Sequence, residues 1–187
     1  MTNPVEVDAP TERPDRRSTR RALLGLGVVG AALAASRSVG AAAGDEGDQL
    51  AQRVIGVELA ARDLYLAAPD GFVADGLAAV FASNHAAFAD RISGITGLSA
   101  NQRDDAFFDS MESAFSGGDT AAALELENTL AATHAELLGV IDDGTLLSAI
   151  TSIVSAESRN AAVIASETGA DLDVIIVNSA APLTPEA

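Results

Sequence analysis

Four long stretches of this chain place apolar residues three and four positions apart, and nothing alternates with period two for long. That spacing lines the apolar side chains along one stripe of an α-helix, so the pattern points to an all-α fold. The residue supply agrees. The chain is rich in alanine, has one Tyr and six Phe, and contains no Cys and no Trp, a composition that favours helices.

The first helix is expected from Asp48, a candidate N-cap, to about Ala68, with Val54, Val57, Ala61, Leu64 and Ala68 on its apolar face and Pro69-Asp70-Gly71 as its stop. A second is expected from about Val73 to Ile95, carrying Leu77, Phe81, Phe88 and Ile92 on one face. Residues 101–115 suggest a shorter helix closed by Gly117-Gly118. The third long helix runs from the N-cap candidate Asp119 to about Asp142, and the fourth from about Thr145 to Thr168, ending at Gly169. Helices of 20–25 residues are ~30–37 Å long at ~1.5 Å per residue, a set suited to a four-helix bundle. The short links Pro69-Asp70-Gly71 and Asp143-Gly144 make each consecutive pair antiparallel, and residues 97–118 form one long crossover between the pairs.

The first 43 residues read as a cleaved signal peptide rather than as part of that fold. Arg16-Arg17-Ser18-Thr19-Arg20-Arg21 precedes an apolar run of about fourteen residues, Ala22 to Ala35, and Ala41-Ala42-Ala43 offers a small-residue cleavage site. The run is shorter than the ~20 residues of a membrane span. TRRALL, Thr19 to Leu24, resembles the twin-arginine leader, which implies engagement of the twin-arginine export machinery and a destination in the periplasm, cell envelope or extracellular space. With no Cys after the run, a lipid anchor is not expected, nor is any stable membrane anchor. The domains are then residues 1–43 as leader, 44–172 as helical domain and 173–187 as an extended tail.

The chain carries 11 arginines and 27 acids, and removal of residues 1–43 takes six of those arginines but four of the acids. The remaining net charge is −18. Such a field opposes nucleic-acid binding, which needs Lys and Arg to replace counterions, and adhesion to anionic membranes. Without Cys, any metal would be held by carboxylate, imidazole or amide.

Each long helix carries a polar residue on its apolar stripe. Glu58 aligns with Val54, Ala61 and Tyr65; His85 with Phe81, Phe88 and Ile92; Glu127 with Leu124, Ala131 and His134; Glu157 with Ile153, Asn160, Ala161 and Ile164. Glu125 and Glu136 fall on solvated faces. Three buried carboxylates near one level repel one another and resist desolvation, at a cost of several kcal/mol. Relief comes from a cation, from protonation, or from hydrogen bonds to His85, His134, Tyr65, Asn160 and water.

The segments 50–68, 84–97, 124–139 and 146–164, with the closing PLTPEA, resemble the ferritin-like family, in particular its exported members with a twin-arginine leader. The resemblance covers most of the mature chain and implies an antiparallel four-helix bundle with one long crossover. The family's di-iron set takes one glutamate from each of two helices and a Glu-x-x-His from each of the other two. On that pattern Glu58 and Glu127 match the single glutamates, and Tyr65 matches a tyrosine often found one face-repeat after the first. His85 matches one Glu-x-x-His with Ala82 in place of its glutamate, and Glu157 the other with Asn160 in place of its histidine.

The resemblance thus implies a degenerate metal site of Glu58, His85, Glu127 and Glu157, surrounded by Asn160, Tyr65 and His134. Three carboxylates and one imidazole suit one divalent ion, iron or another, better than two irons in redox exchange; a metal-free polar network stays open beside it. Two further functions remain: a di-iron or di-manganese oxidoreductase acting on peroxide or oxygen, and an envelope interaction module whose Ala-rich helices pack on a partner or on a second copy as a homo-oligomer. No catalytic residue is assigned, since no nucleophile triad or phosphate loop is visible.

Overall fold

In a computed structural model, the described residues are 45–74, 76–170 and 177–183. The expected leader, the start of the tail and the last four residues lie outside them. The described residues form five helices and no strand: α1 (Asp45–Ala67), α2 (Leu77–Thr96), α3 (Asp105–Ser116), α4 (Thr120–Leu137) and α5 (Gly144–Thr168). Among them no helix is long and apolar enough to cross a membrane.

α1 packs chiefly on α2 and α4 on α5, while α2 meets α5 and α3 bridges α1 and α4. Both pairs are antiparallel. Residues late in α1 meet residues early in α2, as in the edge-on contact of Tyr65 with Phe81 (ring centroids 5.3 Å apart), and Ala51, Val54 and Ile55 share a cluster with Ala89 and Ile92. Across α4 and α5, Glu127 meets Asn160 and His134 meets Glu157.

Several helix ends differ from the sequence expectation. α1 begins at Asp45, so Asp48 is not its N-cap but an acid in its first turn, where the helix dipole favours negative charge. α2 begins at Leu77 rather than Val73, because Phe72 and Val73 turn inward to cover the end of the core and Gly76, at φ 81°, turns the chain into the helix. α3 starts at Asp105 rather than residue 101, with the Asp104 carboxylate accepting from Phe107 N.

α4 stops at Leu137, not Asp142. Leu138, Gly139 and Val140 donate to the carbonyls three residues back, tightening the chain out of the α-helix. This frees Asp143 to cap α5 by accepting from Leu146 N at 2.7 Å. The α4–α5 link is therefore residues 138–143 rather than a two-residue turn. The Asp119 cap forms as expected, accepting from Ala121 N.

Between α1 and α3 the chain comes close enough to need a glycine. Asp104 N donates to Gly56 O at 2.9 Å, and a Cβ on Gly56 would stand 3.3 Å from that nitrogen. The contact draws the crossover onto α1 half a turn from Glu58.

The core has two apolar regions. One is aromatic, with Tyr65, Phe72, Phe81, Phe108 and Phe115 among Ala and Leu; the other is aliphatic, around Ile55, Leu59, Ile92, Ile150 and Ile153. In α1, α2 and α5 a polar residue stands where the stripe passes from one region to the other. Together with Glu127 and His134 of α4, these residues form a buried polar layer.

Candidate metal centre

Six polar side chains make up this layer. Glu58, His85, Glu127 and Glu157 are 0% exposed, His134 1% and Asn160 7%. All are residues that the sequence singled out, and Tyr65, 2% exposed, borders them.

The layer has two parts of different character. Around Glu127, donors and acceptors match. Tyr65 donates its hydroxyl to Glu127 Oε1 at 2.7 Å, Asn160 Nδ2 donates to Oε2 at 3.2 Å, and His85 Nε2 stands 3.3 Å from Oε1. The other nitrogen of His85, Nδ1, meets Glu58 Oε2 at 2.7 Å. The His85 ring stacks on Tyr65, with 11° between the planes, and meets the edge of Phe88.

Burial opposes charge on His85, but the carboxylates of Glu127 and Glu58 outweigh it and hold its pKa well above the ordinary imidazole range. His85 is thus a cation, donating from both nitrogens. Burial, reinforced by the Glu127 charge, pushes the Tyr65 phenol well up, so it keeps its proton as a donor.

Around Glu157 the matching fails. His134 Nδ1 donates to the Leu130 carbonyl at 2.9 Å, one turn back on α4, and lies 3.1 Å from Glu157 Oε2 and 3.0 Å from Oε1, the latter without hydrogen-bond alignment. Its Nε2 lies 3.2 Å from Glu58 Oε1. That is ion-pair distance, but the ring is not aligned for a hydrogen bond. Three buried atoms are left without a hydrogen-bond partner: Glu58 Oε1, His134 Nε2 and Glu157 Oε1. Orphans of this kind are rare in folded proteins and each costs roughly 1–3 kcal/mol.

Electrostatics separate the two parts as well. Burial raises Glu157, and although the neighbouring imidazole of His134 works the other way, its pKa is pushed up to about 8. Burial lowers His134, but Glu157 and then Glu58 outweigh it, and its pKa is pushed up to about 9. At neutral pH both groups hold protons.

Glu58, His134 and Glu157 could together hold a metal ion: one ligand atom from each lies within 4.8 Å of the others. Donors on a tetrahedral ion with bonds of ~2.1 Å stand ~3.4 Å apart, so the side chains would close in by about 1 Å. His134 Nδ1 faces the Leu130 carbonyl and the Glu157 carboxylate, while Nε2 faces Glu58 Oε1. One nitrogen and two carboxylate oxygens suit divalent Zn, Fe or Mn.

Of the four ligands expected from the sequence, Glu58 and Glu157 stand in this group; His85 and Glu127 are held in the hydrogen-bonded part. His134, expected beside the ligand set rather than in it, could supply an imidazole there. Asn160 holds Glu127 rather than Glu157. Periodicity places His134 on the stripe of Glu127, but only the packing of α5 and α1 brings Glu157 and Glu58 to its level.

Comparison with protein-family models, with characterised proteins and with solved structures finds no match to this chain.

Proposed function

We propose that this chain is an exported, ferritin-like four-helix bundle that binds one divalent transition-metal ion through Glu58, His134 and Glu157. The observation that carries the reading is the buried group of Glu58, His134 and Glu157, whose ligand atoms lie within 4.8 Å of one another and each of which has an atom without a hydrogen-bond partner. A divalent ion would take one donor from each residue, and the two protons held by Glu157 and His134 at neutral pH would leave as it enters. Charge within the layer is then conserved.

The pairing of helices through α1–α2 and α4–α5, with α3 in the crossover, supports the ferritin-like reading of the sequence. A single ion is favoured over a dinuclear oxidoreductase centre. His85 and Glu127 are engaged with Tyr65, Asn160 and Glu58, and a second ion would have to displace those hydrogen bonds.

Elemental analysis of protein purified after export from its own host, beside a Glu157→Gln variant, tests the reading. About one equivalent of metal in the natural protein and none in the variant is the expected result; two empty proteins that also fail to take up zinc or cobalt(II) would end it. Export is tested separately by Arg20→Lys with Arg21→Lys, which should strand the precursor inside the cell.

A further inference from the structure

Thr133 and His134 are adjacent on α4 but serve different parts of the molecule. His134 turns into the buried triplet. Thr133 Oγ1 donates to Thr129 O at 2.7 Å and accepts from Leu183 N at 2.9 Å, fastening the C-terminal segment to the helix. A second fastening lies at Asn178, whose Nδ2 donates to Asn128 O at 2.8 Å while its Oδ1 accepts from Ala180 N. Residues 177–183 therefore run along α4 with two attachments, Asn128 and Thr133.

The Leu183 side chain ends this run at a cavity of about 180 Å³ in the seam between α1 and α4. Val54 and Val57 of α1 and Leu130 and His134 of α4 line it together with Leu183. Of the triplet, His134 alone borders the cavity. The walls also carry Arg53, Thr133 and Glu136, but His134 is only 1% exposed, so a hydrated ion has no standing path to its ring.

We propose that residues 177–183 are a strap governing access to the triplet, with Leu183 standing in the route through which His134 is reached. The idea rests on the metal reading above for the identity of what passes. The strap is held by two hydrogen bonds at its fastenings and by one half-buried leucine, so it lifts by local opening while the helices stay folded. A strap that does not touch the ion alters the rates of uptake and release together and leaves the equilibrium affinity in place.

The test uses the full exported chain and its Leu183→Ala, Asn178→Ala and Thr133→Val variants, each first checked for native helicity by circular dichroism. Cobalt(II) uptake and chelator-driven release are followed by visible absorption. In the variants both rates are expected to rise about tenfold, with the dissociation constant unchanged within about twofold, as the accessible fraction increases. A second readout needs no metal. The chain has two histidines, so modification by diethylpyrocarbonate at one fixed pH, read by mass spectrometry, compares His134 with His85 as an internal control.

Loosening the strap should speed modification of His134 and leave His85 as it was. If cobalt(II) binds to no variant but His134 modification rises, the metal reading fails and strap control of access stands. If cobalt(II) binds with unaltered rates, or if His134 modification does not change in folded variants, the strap proposal is overturned.

Discussion

Glu127 and Glu157 are both fully buried glutamates beside an imidazole in one polar layer, and they meet opposite conditions. Glu127 has donors from three other helices, Tyr65 on α1, His85 on α2 and Asn160 on α5. Glu157 has His134, whose Nδ1 is shared with the Leu130 carbonyl, and one of its oxygens is left without a hydrogen bond. Burial is the same in both places; the supply of donors differs. A carboxylate surrounded by protons behaves as structure. One that is short of them keeps a proton of its own until something better arrives, which is how a ligand behaves.

The most disruptive way to break this contrast is Glu127→Leu. It takes one of two carboxylates away from His85 and leaves Tyr65 and Asn160 without their acceptor, and loss of a buried charge partner costs about 3–5 kcal/mol. Urea unfolding should show that loss directly. Glu157→Gln should do the reverse. Metal affinity falls by about 100-fold or more, read by competition with a chelator, while the metal-free protein is as stable as before or more so. If both variants lose stability equally, the two sides of the layer do not differ in kind.

The pH dependence sharpens the contrast further. The folded pKa of Glu157, about 8, and of His134, about 9, both lie above their ordinary values. Between about pH 4.5 and 9 the folded chain therefore binds more protons than the unfolded chain, and stability falls as pH rises. The metal-free protein should lose on the order of 2 kcal/mol from pH 5.5 to 8.5, discounted for the coupling of the pair. Saturating zinc should reverse that slope, because the ion competes with the same protons. Thermal melts at a series of pH values, with and without zinc, test both halves of the statement. Tyr65→Phe removes one charge-assisted donor from Glu127 and should cost a comparable amount, about 1.5–3 kcal/mol of stability, without changing metal affinity.

Much of this layer was legible because a polar residue at helical spacing inside an apolar stripe has nowhere else to point. Glu58, His85, Glu127 and Glu157 all proved fully buried, while Glu125 and Glu136 stayed exposed, as the same periodicity required. The Asp119 cap was equally plain. Pairing within the layer was not legible, because it depends on how the helices are rotated and on the rotamers of six side chains. Periodicity within one helix gives a face; it does not give the level at which an antiparallel neighbour presents its own residues. The early end of α4 was missed for a more local reason. Gly139 and the β-branched pair Val140-Ile141 weaken the helix just where Asp143 competes to begin the next one.

The hydrogen bonds that complete the polar layer join residues far apart in the chain, 27 positions for His85 with Glu58, 33 for Asn160 with Glu127 and 62 for Tyr65 with Glu127. The His85–Glu58 and Asn160–Glu127 bonds each form within one helical pair, before the pairs meet, but the bonds from Tyr65 and His85 to Glu127 close only when both pairs are in place. Their energy therefore enters late on the folding path, after most apolar surface is already buried. Variants at Glu127 or Tyr65 should leave the folding limb of a chevron almost unmoved and steepen the rate at which the finished protein comes apart. The same buried layer that could receive an ion also sets the lifetime of the folded state.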